Sequence, residues 1–242
     1  MSIRILLPAL LALPLLGAAQ NTLLGAPAMN DLSRNNGLFN NGYSLIGPDA
    51  NKLHGNPFLA PGWTPATIQL QGNATPTPAT MRYDVYRQEV RVRRPQGDSV
   101  IVPLNRIKEF TLSPAGRRFV CYPAATLPAE VQDACAEVLA DGAHLQLLKF
   151  WRKKLVKEPA ENSSYASNST MDVLQTTSSY YLRWPADGHL VAVRPKRSSL
   201  EQALAGQPAA LAALKAQKGG LGSEAELAAA VQALDPTITT GR

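Results

Sequence analysis

Four sets of residues in this chain have side chains and spacings that could do chemistry: two cysteines, three histidines, several carboxylates within β-prone runs, and one basic stretch flanked by aromatics. Cys121 and Cys135 are the only thiols. In an oxidising compartment they are expected to form a disulfide. Closing a loop of about 15 residues would stabilise the fold by about 3 kcal/mol in the chain-entropy picture. Two buried free thiols are the alternative. His54, His144 and His189 stand far apart, whereas a metal site needs several donors converging on one ion. His144 and His189 each follow a hairpin turn and could approach one another in a folded sheet, but two exposed turn histidines need no ligand to explain them. No metal ligand, cofactor or catalytic residue is assigned.

Asp84, Glu89, Glu109 and Glu137 fall in extended runs. Two acids about 5 to 10 Å apart could hydrolyse a glycosidic bond, and the same acids serve equally as partners for neighbouring arginines. The chain has no G-x-S-x-G elbow, H-E-x-x-H pair, phosphate-cradling glycine loop or C-x-x-C pair. The stretch Phe150, Trp151, Arg152, Lys153, Lys154 and Lys157 sets cations beside aromatics. Such a stripe could contact an anionic partner, the rings settling at an interface while the cations meet phosphates. A hydrated hairpin end is the competing reading.

The elements that position these groups begin after a leader. Residues 1–19 carry Arg4, an apolar run from Ile5 to Leu16 and the small residues Gly17, Ala18 and Ala19, the pattern of a secretory signal peptide. The run is short, and Pro8 and Pro14 break it, so it does not read as a transmembrane span. An exported, periplasmic or extracellular product is expected. The formal charge of +6 drops to +5 once Arg4 leaves. A basic exported protein meets anionic envelope components more readily than nucleic acid.

Residues 20–65 are rich in Asn, Gly and Pro and read as an irregular leader. Its apolar residues Leu38, Phe39, Tyr43, Leu45 and Ile46 could dock on the domain. From residue 66 to 195 the period switches to two. Ile68 and Leu70 alternate with polar neighbours, then Met81, Tyr83 and Val85 share one parity and Val90 and Val92 the other. A bulge or tight turn near Arg87 would reconcile them, leaving Arg82, Arg91 and Arg93 hydrated on the opposite face. Further short runs follow, with a hairpin through Asp141-Gly142, expected as a type I′ turn, and another across Pro185 to Gly188. The count reaches eight or nine strands: a mainly β (α+β) fold in which an antiparallel meander forms a sandwich or partly open barrel. Residues 196–236 switch to helical spacing. Ser198 with Glu201 and Ser223 with Glu226 have capping-box spacing, Pro208 opens a middle helix, and residues 237–242 form a tail.

The order GWTPATIQLQ, MRYDVYRQEVRVRRPQGDSVIVPLNRIKEFTL, CAEVLADGAHLQLLKFWRKKL and SSYYLRWPADGHLVAVRPKRSSLEQAL resembles a group of exported β-rich Bacteroidota proteins with no assigned activity. The resemblance spans residues 62–234, is one of pattern and order, and implies a bacterial envelope protein in which a β meander precedes short helices. It carries no catalytic residue. The resulting expectation is a non-enzymatic binding or structural module that contacts an anionic envelope component or another envelope protein. A hydrolase of an envelope or extracellular polymer is the rival.

Overall fold

A computed structural model describes residues 55–132, 134–159, 170–217 and 219–238. Ten strands form one antiparallel sheet: β1 (Thr64–Leu70), β2 (Thr77–Asp84), β3 (Glu89–Arg93), β4 (Ser99–Val102), β5 (Ile107–Leu112), β6 (Arg117–Cys121), β7 (Cys135–Asp141), β8 (Gln146–Pro159), β9 (Thr170–Arg183) and β10 (Leu190–Val193). Three helices follow: α1 (Arg197–Ala203), α2 (Pro208–Ala216) and α3 (Glu224–Leu234). The spatial order is β10-β9-β8-β7-β6-β5-β1-β2-β3-β4. The meander departs from sequence order once, where β5 returns to the free side of β1. The sheet is open, with β10 and β4 as its edges. The described fold is thus the antiparallel meander with short C-terminal helices that the alternation predicts, with ten strands rather than eight or nine.

The parity switch between β2 and β3 is resolved by a four-residue turn, Val85 to Gln88, in which Gln88 takes φ 57°. Met81 then pairs with Val92 and Tyr83 with Val90, and all four are buried. Their partners on the same face come from β1, β4, β5 and β6, around Phe110 and Phe119. A flat sheet would hold β2 and β8 about 24 Å apart, five strand spacings. Yet the Lys153 amide donates to the Val85 carbonyl at 3.1 Å, so this half of the sheet curls around its own core.

The other half is covered by different means. One face of β7 to β10, carrying Ala140, Leu145, Leu147, Leu182 and Val193, packs on Leu200, Leu214, Leu227, Val231 and Leu234 of the helices. The opposite face, with Ala136, Leu148, Phe150 and Tyr181, is covered by Leu127 and Val131 from two 3-10 turns between β6 and β7. Beyond Phe150, which pairs with Ala136, β8 has no β7 neighbour and continues with β9 as a two-stranded ribbon.

Cys121 and Cys135 face each other across β6 and β7 and are joined by a disulfide. α3 begins with the expected capping box, Ser223 with Glu226, and α2 has Pro208 in its first turn. α1 differs: it starts ahead of the expected Ser198–Glu201 box, with Lys196 as its N-cap and no side-chain cap bond, so Ser198 falls inside its first turn. The Asp141-Gly142 turn also differs. Residues 142–145 form a four-residue connection, and Gly142 is not at positive φ, so it is not the expected type I′ pair. The helix end dictates this shape. Asp235, following α3, accepts from the amides of Ala143, His144 and Leu145 at 3.2, 2.7 and 2.7 Å, and a Cβ at Gly142 would overlap its carboxylate. Partial burial favours the neutral acid, but these amide bonds outweigh it and hold the Asp235 carboxyl below its ordinary value.

Candidate anion-binding face

Because Met81, Tyr83, Val90 and Val92 point inward, period two sends Arg82, Arg91 and Arg93 to the other side of β2 and β3, and Arg82 pairs directly with Arg91. Two like charges opposite one another are unfavourable, and the chain offsets this with residues 55–63. Phe58 bridges to Asp84, the Leu59 amide donates to the Tyr83 carbonyl at 2.8 Å, and the Val85 amide donates to the Pro57 carbonyl at 3.0 Å. This lays the segment along the exposed end of β2.

Phe58 thereby lies under the Arg82 guanidinium, 3.6 Å from its ring centroid, and 5.4 Å from that of Arg91. Trp63 lies 5.8 Å from both Arg82 and Arg93. Arg82 also donates to the Pro61 carbonyl at 3.0 Å. Buried Asp84 is 3.4 Å from Arg87 and 3.7 Å from Arg91, and Glu89 is 3.5 Å from Arg91. The Asp84 carboxylate further accepts from the amides of Tyr86 and Arg87. The result is a ladder in which rings alternate with guanidiniums, each stack gaining about 0.5 to 2 kcal/mol as solvent is removed.

The cations on this face outnumber its acids. Arg82, Arg87, Arg91, Arg93 and Lys153 stand against Asp84 and Glu89. Burial, and then repulsion from Arg91, hold the Arg82 guanidinium below its usual value, with Asp84 opposing. Burial likewise lowers Lys153. The buried Nε atoms of Arg82 and Arg91 donate to no acceptor. The expectation that Arg82, Arg91 and Arg93 are simply hydrated therefore needs correction. Arg93 is exposed, while Arg82 and Arg91 are partly roofed by aromatics brought from outside the strands.

The basic stretch is divided by its own strand. Alternation along β8 places Phe150, Arg152 and Lys154 on one side and Trp151, Lys153 and Lys157 on the other. Phe150 is fully buried edge-on to Tyr181, with centroids 5.6 Å apart. Trp151 Nε1 donates to Glu137 at 2.6 Å, and Lys149 lies 3.7 Å from its ring centroid. Arg152 bonds the Gln132 carbonyl. Lys153 bonds the carbonyls of Asn56 and Phe58 and so belongs to the arginine face. Lys154 and Lys157 are exposed on the ribbon. These six residues do not make one stripe, and of them only Lys153 reaches the cationic face. Phe58 and Trp63 escape sequence reasoning because their segment reads as irregular leader; no local pattern shows where it lands.

Of the four candidate acids, Asp84 and Glu89 are direct cross-strand neighbours that share Arg91, while Glu109 and Glu137 lie apart from them on β5 and β7. Asp84 and Glu89 serve Arg87 and Arg91. Glu109 lies 3.5 Å from Arg118, and Glu137 takes a two-pronged bond from Arg117 at 2.6 and 2.8 Å. His144 is held at the Asp235 corner and His189 lies against Trp184, with centroids 5.6 Å apart. His54 lies outside the described residues. Among the described residues no three His, Cys, Asp or Glu side chains gather as metal donors, and no helix is long and apolar enough to cross a membrane. No protein-family model, curated protein or solved structure matches this chain.

Proposed function

We propose that this is an exported, non-enzymatic binding module whose β2–β3 face holds an acidic polysaccharide of the cell envelope. The reading rests on one observation: strand pairing gathers Arg82, Arg91 and Arg93 on one face, stacked with Phe58 and Trp63, with a surplus of positive charge. Residues two apart on a strand recur about every 7 Å, and neighbouring strands lie about 5 Å apart, so the face offers cations in two directions. A polymer with regularly spaced carboxylates can engage several at once, and multivalency then compensates for weak single contacts. The rings are engaged between guanidiniums instead of projecting outward, which favours a polymer over insertion into a lipid surface. Export, from the N-terminal pattern, supplies the compartment in which such polymers occur.

The test is retention on polygalacturonate beads across a salt gradient. The wild-type chain should bind and elute with rising salt, because its contacts are ionic. Arg93→Gln combined with Trp63→Ala should weaken binding by about tenfold or more, equivalent to about 1.4 kcal/mol. Lys154→Ala with Lys157→Ala should change it little. Equal retention of the β2–β3 variant and wild type, or no retention of wild type, overturns the reading.

A further inference from the structure

A second site, nearer the other edge of the sheet, lies between the β9–β10 turn and the connection leaving β6. It is an open cleft of about 480 Å³ lined by Tyr122, Pro123, Leu127, Arg183, Asp187 and Leu190, among others, within the size range of small-ligand sites. Its walls are apolar at Pro123, Leu127 and Leu190, and beside the exposed His189 imidazole it carries one guanidinium, Arg183, and one carboxylate, Asp187, exposed on its turn.

The cation is fixed in place. Arg183 Nη1 donates to Gln146 Oε1 at 3.0 Å, and Gln146 is itself bonded to Asp141 at 2.6 Å. The guanidinium lies over Tyr122, 4.8 Å from the ring centroid, and Nη2 points toward Gly188, 3.9 Å from where a Cβ would be. Among the described residues no carboxylate lies within 4.0 Å of it. The anion is also fixed. Asp187 Oδ1 accepts from the His189 amide at 2.9 Å, within a turn closed by Gly188 N to Trp184 O at 2.8 Å and Trp184 N to His189 O at 3.0 Å.

An Arg and an Asp set into one cleft without neutralising each other, beside an apolar wall, match a ligand carrying both charges and an apolar body. A simple anion would meet repulsion from Asp187, and a simple cation repulsion from Arg183. We propose that this cleft binds an α-amino acid with an apolar side chain. Arg183 takes the carboxylate, Asp187 takes the ammonium through its remaining oxygen, and the side chain lies on Leu127 and Leu190.

The test is titration of the full disulfide-bonded chain by calorimetry with L-leucine, with 4-methylpentanoate, which lacks the ammonium, and with isopentylamine, which lacks the carboxylate. L-leucine should bind with a Kd of about 1 mM or below, and each analogue about tenfold more weakly. Arg183→Gln should abolish binding of L-leucine. Asp187→Asn keeps the bond to the His189 amide, and should bring L-leucine down to the level of 4-methylpentanoate. Both variants should retain the wild-type circular dichroism and the same hold on polygalacturonate, which separates this site from the β2–β3 face. No binding of L-leucine, equal binding of all three compounds, or an unchanged affinity in folded Arg183→Gln overturns the proposal.

Discussion

Replacing Phe119 by alanine is expected to lower the unfolding free energy by about 3 to 5 kcal/mol, a large part of the 5 to 15 kcal/mol typical of a domain. Phe119 is fully buried on β6. Its ring stacks on Phe110 of the paired strand at 4.8 Å with an interplanar angle of 7° and meets Tyr83 edge-on at 6.0 Å. The curl of the sheet brings β2 over β5 and β6, so truncation at this point leaves a cavity bounded by several strands that cannot collapse independently. Phe119→Leu keeps most of the volume and should cost only about 1 to 1.5 kcal/mol. Urea unfolding followed by tryptophan fluorescence measures both. A loss below about 1 kcal/mol for the alanine variant would mean that this is not the axis of the core.

Reduction of the Cys121–Cys135 bridge is expected to cost about 3 kcal/mol through the freed 14-residue separation. The loss should concentrate in the connection the bridge closes. That connection carries Leu127 and Val131 over Ala136, Leu148, Phe150 and Tyr181, and it is tied on by the bond from Tyr181 to Glu130 at 2.8 Å. It also carries Tyr122, Pro123 and Leu127 of the cleft, so reduction should weaken L-leucine binding together with stability. Unfolding of the unmodified chain with and without dithiothreitol makes the comparison, with alkylation and mass measurement establishing the thiol state. Superimposable curves for the oxidised and reduced chain would contradict it.

The period-two runs made the sheet legible because each strand buries one face: the inward set Ile68, Leu70, Met81, Tyr83, Val90 and Val92 can be picked out residue by residue. Pro208 and the Ser223–Glu226 pair marked helix starts because those signals act within one turn of chain. What local pattern could not carry was anything decided by a distant partner. The return of β5 to β1 and the Asp235 carboxylate that reshapes the Gly142 turn both depend on tertiary contacts. The candidate site was legible in half. Arg82, Arg91 and Arg93 fall on one face by parity, but Phe58 and Trp63, which stack on them, come from a segment with no periodicity. The contiguous basic run from Arg152 to Lys157 looked like a patch in one dimension, and alternation along β8 divides it between two faces.

Hydrogen exchange of the full chain with and without soluble polygalacturonate decides whether the cationic β2–β3 face is the contact surface. Bound polymer should slow exchange at residues 58–63 and 82–93 and leave the ribbon from Arg152 to Lys157 unchanged. Protection confined to the ribbon, or absent from residues 82–93 while polymer is bound, would contradict it.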